Sequence, residues 1–133
     1  MRQQLIEEDL IMDDAISHAL ANDLTIDITT TGSKTGQPRR IEIWFHNLDG
    51  ELYLTGLPGT TGWYANLCAN PDFIFHLKES AQADLAARAT PVLDPAMRRD
   101  IIARIQKKLG RSGDDLEDRV ASSPLMKIEL ISE

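Results

Sequence analysis

The residues best suited to bind a ligand lie between Thr29 and Arg40, in the run TTTGSKTGQPRR. This run holds three basic residues, Lys34, Arg39 and Arg40, and no acid, in a chain whose formal charge is −7. Its two glycines permit backbone conformations that turn N–H groups toward a bound anion. The Walker spacing of a P-loop is absent. The run therefore predicts either a loop that holds phosphate or carboxylate groups, or a solvated turn between two strands.

A second candidate anion site is the segment 56–62, GLPGTTG, which leads into a predicted helix from about Trp63 to Ala69. Three glycines and a proline exclude a helix or a central strand there. The helix start would present free N–H groups and the positive end of a helix dipole. Trp63 is expected either to anchor the core or to contact a ligand. Asn70 is expected to end the helix in a left-handed conformation.

The remaining reactive side chains indicate no chemistry of their own. Cys68, between two apolar residues, is expected in the core rather than as a nucleophile. His18 is expected at the surface, and His46 has no second ligand at metal-binding spacing, so no metal site is predicted. Gly-x-Ser-x-Gly and His-Glu-x-x-His motifs are absent. If the protein is an enzyme, a bound cofactor is expected to carry the reaction.

The elements that must position these residues are mostly strands, because apolar and polar residues alternate over six segments. The segments are 24–29, 41–46, 52–55, 73–78, 82–93 and 126–130. Asp49-Gly50 predicts a hairpin, and the small inner face of 82–93 leaves room for something to approach. Together they predict an α+β fold, a small barrel of about six mainly antiparallel strands with helices packed against it.

Three helical segments complete the prediction. One covers residues 5–20, and a second runs over 94–109, with Asp94 as N-cap and a stripe from Met97 through Ile101 and Ile105. Residues 112–115 resemble a capping box for a last short helix. The chain of 133 residues predicts one domain, 1–133, with an N-terminal helix within 1–22 and a helical segment at 94–122.

Composition limits the partners and the compartment. A pI near 4.9 argues against nucleic acid as a partner. No apolar run approaches the ~20 residues of a membrane helix, and the N-terminus lacks the order of a signal peptide. The single cysteine gives no sign of an oxidising compartment. The sequence therefore predicts a soluble cytoplasmic protein without membrane insertion.

Three runs, TTTGSKTGQPRR, DGELYLTG and WYANLCANP, occur in an order and spacing that resemble the deazaflavin (F420)-dependent nitroreductase family. The resemblance covers roughly residues 25–93. It implies a split β-barrel of the flavin- and deazaflavin-binding superfamily, commonly a homodimer. It also implies a reduced 8-hydroxy-5-deazaflavin, coenzyme F420, which transfers hydride to an electron-poor small molecule such as a nitro compound, a quinone or an unsaturated carbonyl.

The same resemblance implies which residues contact the cofactor. They form four segments: a loop at the phosphate and acidic tail, a strand along phosphate and ring, a strand end beside the deazaflavin, and a helix start that closes the site. These residues are Ser33, Lys34 and Thr35; Arg39, Arg40, Ile41, Glu42, Ile43 and Trp44; Thr55, Gly56, Leu57 and Pro58; and Trp63, Tyr64 and Asn66.

Two departures from the family pattern leave alternatives open. Ser33 stands where an arginine is usual, and Pro58 stands where relatives often carry a basic residue. FMN, with one phosphate, would need fewer cations, and a non-catalytic protein that binds deazaflavin or a tetrapyrrole is a further alternative. Tyr64 or solvent could supply the second proton. Trp44 and Tyr53 are candidates to face the partner subunit or the cofactor.

Overall fold

The computed structural model describes residues 13–59 and 61–131, and in these ranges six strands and four helices follow one another. The predicted first helix is seen only in part, since residues 1–12 lie outside the described chain. The elements are α1 (Asp13–Asn22), β1 (Thr25–Thr31), β2 (Pro38–Leu48), β3 (Glu51–Thr55), α2 (Gly62–Ala69), β4 (Asp72–Leu77), β5 (Ala83–Pro91), α3 (Pro95–Lys108), α4 (Leu116–Ser122) and β6 (Leu125–Leu130).

The strands close into an antiparallel barrel in the order β1-β2-β3-β6-β5-β4, which confirms the predicted six-stranded barrel. Strand β2 is long and changes partners along its length. Residues 38–44 pair with β1, whereas residues 45–48 pair with β3. The first half of β2 therefore has one strand neighbour among the described residues, and the barrel opens beside it.

The barrel interior is filled by the alternating apolar residues of the strands. Ile26, Ile28 and Phe75 are fully buried, and the rings of Phe45 and Phe75 meet edge to face at 5.2 Å. The small inner face of β5 leaves no open space, because Ala87 and Ala89 are buried in this core. The prediction that β5 leaves room for another molecule is therefore wrong: neighbouring core side chains fill that room.

Helix α3 covers the outer face of β2 and β3 and forms a second apolar layer. Ile101 and Ile105 pack there with Tyr53 and Leu125, as predicted for the helix, while Met97 at its start is exposed. The Asp94 carboxylate accepts a hydrogen bond from the Met97 N–H at 2.9 Å, which confirms the N-cap. Tyr53 is only 6% exposed, so the prediction that it faces a partner or cofactor is wrong.

The turns and helix ends agree with the sequence-based prediction at one position and differ from it at two. Asp49 and Gly50 have φ values of 54° and 93°, which suits a two-residue hairpin. Asn70 ends α2 in an extended conformation, with φ −136°, rather than a left-handed one. Asp115, not Ser112, precedes α4, and its side chain makes no capping bond because it accepts from Gln106 and Arg119. Within the described ranges, no helix has the length and apolar character needed to cross a bilayer.

Candidate functional site

The loop between β1 and β2 is held in one tight conformation by its own backbone. Gly32 N–H donates to the Gln37 carbonyl at 2.8 Å, and Gly36 N–H donates to the Gly32 carbonyl at 2.9 Å. A β-carbon on Gly32 would lie 2.6 Å from Oγ1 of Thr35, and Gly36 has a φ of 71°. Both positions therefore require glycine, the first for space and the second for conformation.

This loop leaves its cationic groups free. Within the described residues, the side chains of Lys34 and Arg39 have no acidic group within 4 Å, and both residues are exposed. The backbone N–H groups of Lys34 and Thr35 likewise have no backbone partner there. The loop and the start of β2 thus supply two cations and two N–H donors and no acid, a donor set that suits a phosphate or carboxylate.

Helix α2 is fastened to the loop through Asn66. The Asn66 Oδ1 accepts from Ser33 N–H at 2.9 Å, and its Nδ2 donates to Thr30 Oγ1 at 3.1 Å. These two bonds use both the oxygen and the nitrogen of the Asn66 amide. Asn66 therefore holds the start of α2 against the loop, and the Ser33 N–H is one of the donors in this contact.

The alternation of β2 divides the predicted site residues between two faces of the sheet. Arg39 and Ile41 pair in register with Thr30 and Ile28, whose side chains are buried in the barrel, so they lie on the interior side. Ile41 is nevertheless 38% exposed, because β3 does not cover this half of the strand. We call this opening the groove. It is bordered by the glycine loop at 32–37, by the interior side of residues 39–43, and by the segment 55–58 that continues β3.

The other predicted β2 residues face outward. There Arg40 Nε lies 3.0 Å from Asp27, and Lys78 Nζ lies 2.7 Å from the same carboxylate and also contacts Glu42. The pKa of Asp27 is lowered, first by its hydrogen bond with Lys78, and the pKa of Lys78 is raised in return. We call this surface of β1, β2 and β4 the paired face. Arg40 and Glu42 are therefore bound to protein groups, which the prediction did not foresee.

A hydroxyl, an imidazole and a carboxylate line up on the same face. Thr29 Oγ1 lies 2.7 Å from Nε2 of His76, whose Nδ1 lies 2.7 Å from Asp84 Oδ1. The order of these three groups resembles a hydrolytic triad, but they belong to three adjacent strands of the barrel, β1, β4 and β5. The contacts therefore join neighbouring strands, and we assign them no catalytic role.

The segment after β3 connects the groove to the helices. Thr55 Oγ1 donates to the Pro124 carbonyl at 2.6 Å, so this hydroxyl is occupied. A β-carbon on Gly56 would lie 3.9 Å from Cζ2 of Trp63, which places α2 beside the segment. Leu57 is 69% exposed and Pro58 is also exposed. The parts of this segment that remain available to a ligand are therefore its backbone bend and the Leu57 side chain.

The two aromatic residues at the start of α2 point to different places. Their rings are nearly perpendicular, at 85°, and Trp63 packs against the core. Tyr64 instead lines a depression of about 530 Å³ together with Arg98 and Pro124. Burial raises the pKa of Tyr64, and the neighbouring Cys68 thiol raises it further. Cys68 itself is exposed, which corrects the prediction of a core cysteine: it follows the buried Leu67 by 100° around the helix.

A cavity of about 210 Å³ lies between the end of the groove and the helices, and we call it the helix-side cavity. Four predicted site residues line it on the strand side, and α3 and α4 close the other. The strand residues are Trp44, Thr55, Gly56 and Leu57. The apolar helix residues are Ile102, Ile105 and Leu109.

The polar lining of this cavity contains buried groups without partners. His46 Nδ1, Gln106 Oε1 and Ser123 Oγ make no hydrogen bond among the described residues, although their residues are only 3–4% exposed. Burial lowers the pKa of His46 to about 4, assisted by the charges of Lys108 and Arg111. Arg111 lines the cavity and has no ion pair in the described chain, whereas Arg119 is bound to Asp115 at 2.6 Å.

None of these helix-side residues was predicted as a site residue, although the sequence carried a signal. Between Asp100 and Asp114 the chain has four basic residues and no acid, the same feature that drew attention to the glycine loop. The four are Arg104, Lys107, Lys108 and Arg111. By contrast, a cavity of about 540 Å³ beside Leu20 and Lys127 contains no predicted site residue. The described residues include no group of three metal-ligating side chains.

Known proteins resemble this chain in family, in sequence and in structure. The family model of the F420H(2)-dependent quinone reductases matches residues 12–109. An F420H(2)-dependent quinone reductase of Mycobacterium tuberculosis is 48% identical over 48 residues, which cover 32% of this chain and 32% of the relative. The matched part thus spans about a third of the length of that relative.

Solved structures share the fold at low identity. The heme storage protein HutZ of Vibrio cholerae has a TM-score of 0.68 at 17% identity and covers 89% of each chain. An F420 reductase has a TM-score of 0.63 at 19% identity, over 87% of this chain and 93% of the other. The split barrel is therefore confirmed. Because the family model spans most of the chain, the protein belongs to the F420H(2)-dependent quinone reductase family.

Proposed function

We propose that this protein is an oxidoreductase that uses reduced coenzyme F420 to reduce a quinone or a related electron-poor acceptor. Family membership supports the reaction class. The observation that carries the proposal is the state of the basic residues. Within the described chain, Lys34 and Arg39 in the groove remain unpaired while Arg40 and Lys78 beside them are paired.

The groove fits the chemical groups of the coenzyme. A phosphate and glutamate carboxylates need cations and N–H donors, which Lys34, Arg39 and the loop backbone offer. A planar ring needs a flat, partly apolar slot, which the exposed side of Ile41 and the bend at Gly56 offer. When bound, the coenzyme supplies the hydride; overall, a quinone gains two electrons and two protons while the reduced coenzyme loses the same.

The side chains of the chain itself bind and orient rather than react. Lys34 and Arg39 hold the anionic groups, and Asn66 keeps the loop and α2 in register. Tyr64 stays protonated because its pKa is raised, and it lines a different depression from Trp44 and Leu57. Solvent is therefore the proton source that we propose. Of the sixteen residues expected at the cofactor, we retain the groove residues as direct contacts and treat Arg40, Glu42 and Asn66 as their supports.

We further propose a homodimer built on the exposed sheet face. Trp44 is 44% exposed and Ile74 is 37% exposed, so each leaves apolar surface that the described residues do not cover. A second copy could bury both residues through a self-complementary contact. Light scattering at micromolar concentration should give twice 14.8 kDa, and a mass near 14.8 kDa itself would contradict the dimer. The whole chain is proposed to act as one domain in the cytoplasm, where other enzymes can regenerate the reduced coenzyme.

The experiment for the function is a titration of purified protein with F420 and, in parallel, with FMN, followed by an assay of quinone-dependent oxidation of reduced F420. We expect binding of F420 and loss of the reduced coenzyme only when both protein and quinone are present. Binding of FMN alone would favour a flavin oxidoreductase of the same fold. Binding of F420 without turnover of any acceptor would indicate a carrier.

A further inference from the structure

The helix-side cavity gathers more unsatisfied polar groups than any other place in the described chain. Of the four buried side-chain atoms without a partner there, three belong to residues that line it: His46, Gln106 and Ser123. A buried polar group without a hydrogen bond costs roughly 1–3 kcal/mol. A small molecule that bonds to these groups would recover part of that cost.

The donor set of the cavity specifies the chemistry of such a molecule. The Gln106 amide donates through Nε2 to Asp115 at 2.7 Å, so its free Oε1 is left to accept from a hydroxyl. The Ser123 hydroxyl is free to donate to an oxygen. Arg111 lines the cavity and adds a positive charge. Burial lowers the pKa of the neighbouring His46, and the charges of Lys108 and Arg111 lower it further. A ligand with a carbonyl beside an ionised oxygen can accept from the Ser123 hydroxyl and pair with Arg111, whereas the Gln106 oxygen needs a separate donor such as water.

The apolar part of the cavity limits the size of the ligand. Trp44, Leu57 and Ile105 supply flat and aliphatic surfaces around about 210 Å³. This volume lies below the roughly 300 Å³ at which typical ligand sites begin. The volume suits a single ring or two fused rings. A long tail on the ligand would not fit inside and would have to extend out of the cavity past the exposed Leu57.

We infer that the helix-side cavity binds the ring of the electron acceptor, and that Arg111 makes it select quinones that carry an ionised hydroxyl beside a carbonyl. This inference rests on the proposed function, because the cavity shares Trp44, Thr55 and Leu57 with the predicted cofactor segment. In this arrangement the cavity would hold the oxygen atoms of the acceptor ring from the helix side, and the bound coenzyme would supply the hydride. Arg111 acts by binding the acceptor, and it takes no proton in the reaction.

The test compares two quinones that differ at one position: 2-hydroxy-3-methyl-1,4-naphthoquinone, which is an anion at neutral pH, and neutral 2,3-dimethyl-1,4-naphthoquinone. Neither has an open ring position for addition of the exposed Cys68 thiol. Calorimetry on cofactor-free protein gives the dissociation constant of each. It separates acceptor binding from the redox potentials of the quinones, which also differ.

Arg111→Gln is the test variant and Lys107→Gln the matched control, because Lys107 is an exposed cation of the same helix end that does not line the cavity and has no ion pair among the described residues. We expect wild type and Lys107→Gln to prefer the anionic quinone. Arg111→Gln should weaken anion binding about three- to tenfold and leave the neutral quinone unchanged, the size expected for one partly exposed charge contact. Thermal melting checks that both variants fold.

Equal losses for both quinones, or equal losses in both variants, would overturn the inference. The same variants, assayed with reduced F420, should show the change in the KM for the anionic quinone and not in kcat. A protein that keeps the Arg111-dependent preference but never oxidises reduced F420 would overturn the proposed function instead. A protein that reduces quinones without any preference set by Arg111 would overturn only the inference.

Discussion

The paired face and the groove lie on opposite sides of the same strand, yet their charged groups are in opposite states. On the paired face, Asp27 is contacted by both Arg40 and Lys78, and Lys78 also reaches Glu42. On the groove side, Lys34 and Arg39 have no acidic partner in the described chain. The difference is created by strand alternation, which turns successive residues of β2 to different faces.

This difference separates groups that hold the fold from groups that are available to a ligand. A cation that already bonds to a carboxylate must give up that contact before it can bind an anion, so its net contribution to binding is small. A free cation loses only part of its hydration. The helix-side cavity extends the same contrast to neutral groups, since His46, Gln106 and Ser123 each have one buried polar atom without a partner among the described residues. We therefore expect ligand contacts in the groove and the cavity, and structural contacts elsewhere.

The largest effect should come from a group that is buried and fully bonded. The Arg98 guanidinium donates to the carbonyls of Val92, Val120 and Ser123, at 3.0, 2.8 and 2.6 Å. Arg98→Met would leave these carbonyls without a donor and should lower the free energy of unfolding by ~4 kcal/mol. Urea denaturation measures this loss.

The matched control for that prediction is Arg99→Met, which removes an exposed arginine that pairs with Glu117 one position along the helix. It should cost less than ~1 kcal/mol. If both variants lost the same stability, the contacts of Arg98 would not anchor α4, and the distinction between bonded and free groups would lose its strongest structural example.

The second prediction concerns pH and His46. Its pKa in the folded protein is about 4, below the ordinary value of 6.5, so the unfolded chain binds a proton in the interval where the folded chain does not. Stability from this group is therefore complete above pH 6.5 and falls as the pH drops to about 4, by at most ~3 kcal/mol. Urea denaturation at several pH values should show a slope that is absent in His46→Gln.

His18→Gln supplies the control for this pH dependence, because His18 is exposed and, among the described residues, its side chain bonds only to Asn22 of its own helix. That variant should keep the wild-type slope. An unchanged slope in His46→Gln would show that His46 is not held neutral, and the positive potential that we assign to the helix-side cavity would need another explanation.

The third prediction is that the unpaired cations Lys34 and Arg39 contribute more to F420 binding than the paired cation Arg40. Lys34→Gln and Arg39→Gln should each weaken F420 binding by ~1–2 kcal/mol, which is about five- to thirtyfold, because each removes a free cation. Arg40→Gln, which removes a cation already bonded to Asp27, should weaken binding less. Fluorescence titration at low and high salt measures all three, and the losses at Lys34 and Arg39 should shrink as salt rises. Equal losses at Arg39 and Arg40 would contradict the division of the strand.

The smallest effect is expected from Lys78→Met on the paired face. Lys78 is partly exposed, so the loss of stability should stay below ~1 kcal/mol. The pKa of Asp27, which Lys78 lowers, should rise toward its ordinary value. An NMR titration of the Asp27 carboxyl group follows this shift, and an unchanged pKa in the variant would mean that Arg40 alone sets it.

The sequence predicted the helices and strands well, but it predicted poorly which side chains contact each other between them. The reason is physical. Alternation, the Asp49-Gly50 turn and the Asp94 cap depend on residues that are close in the chain, and all three are confirmed. The pairing of Lys78 with Asp27 joins residues 51 positions apart, and no local pattern encodes that distance. The burial of Tyr53 was missed because it depends on where α3 packs.

The site prediction shows the same limit. The family resemblance marked the run 39–44 as one unit, but alternation sends Arg39 and Ile41 to the groove and Arg40 and Glu42 to the paired face. The alternation predicted for 41–46 already implied this division, although not the choice of which set faces the groove. The helix-side residues carry a similar acid-free basic run at 101–113, but only the folded chain brings them beside Trp44 and the segment 55–57.

The most direct test of the account is to map F420 binding on the protein by nitrogen–proton correlation NMR. Titration of labelled protein should shift the amide signals of residues 33–36, 39–43 and 55–57, and leave those of His76, Lys78 and Asp84 on the paired face in place. Shifts confined to the paired face would contradict the central claim that the free cations of the groove, and not the bonded ones beside them, form the cofactor site.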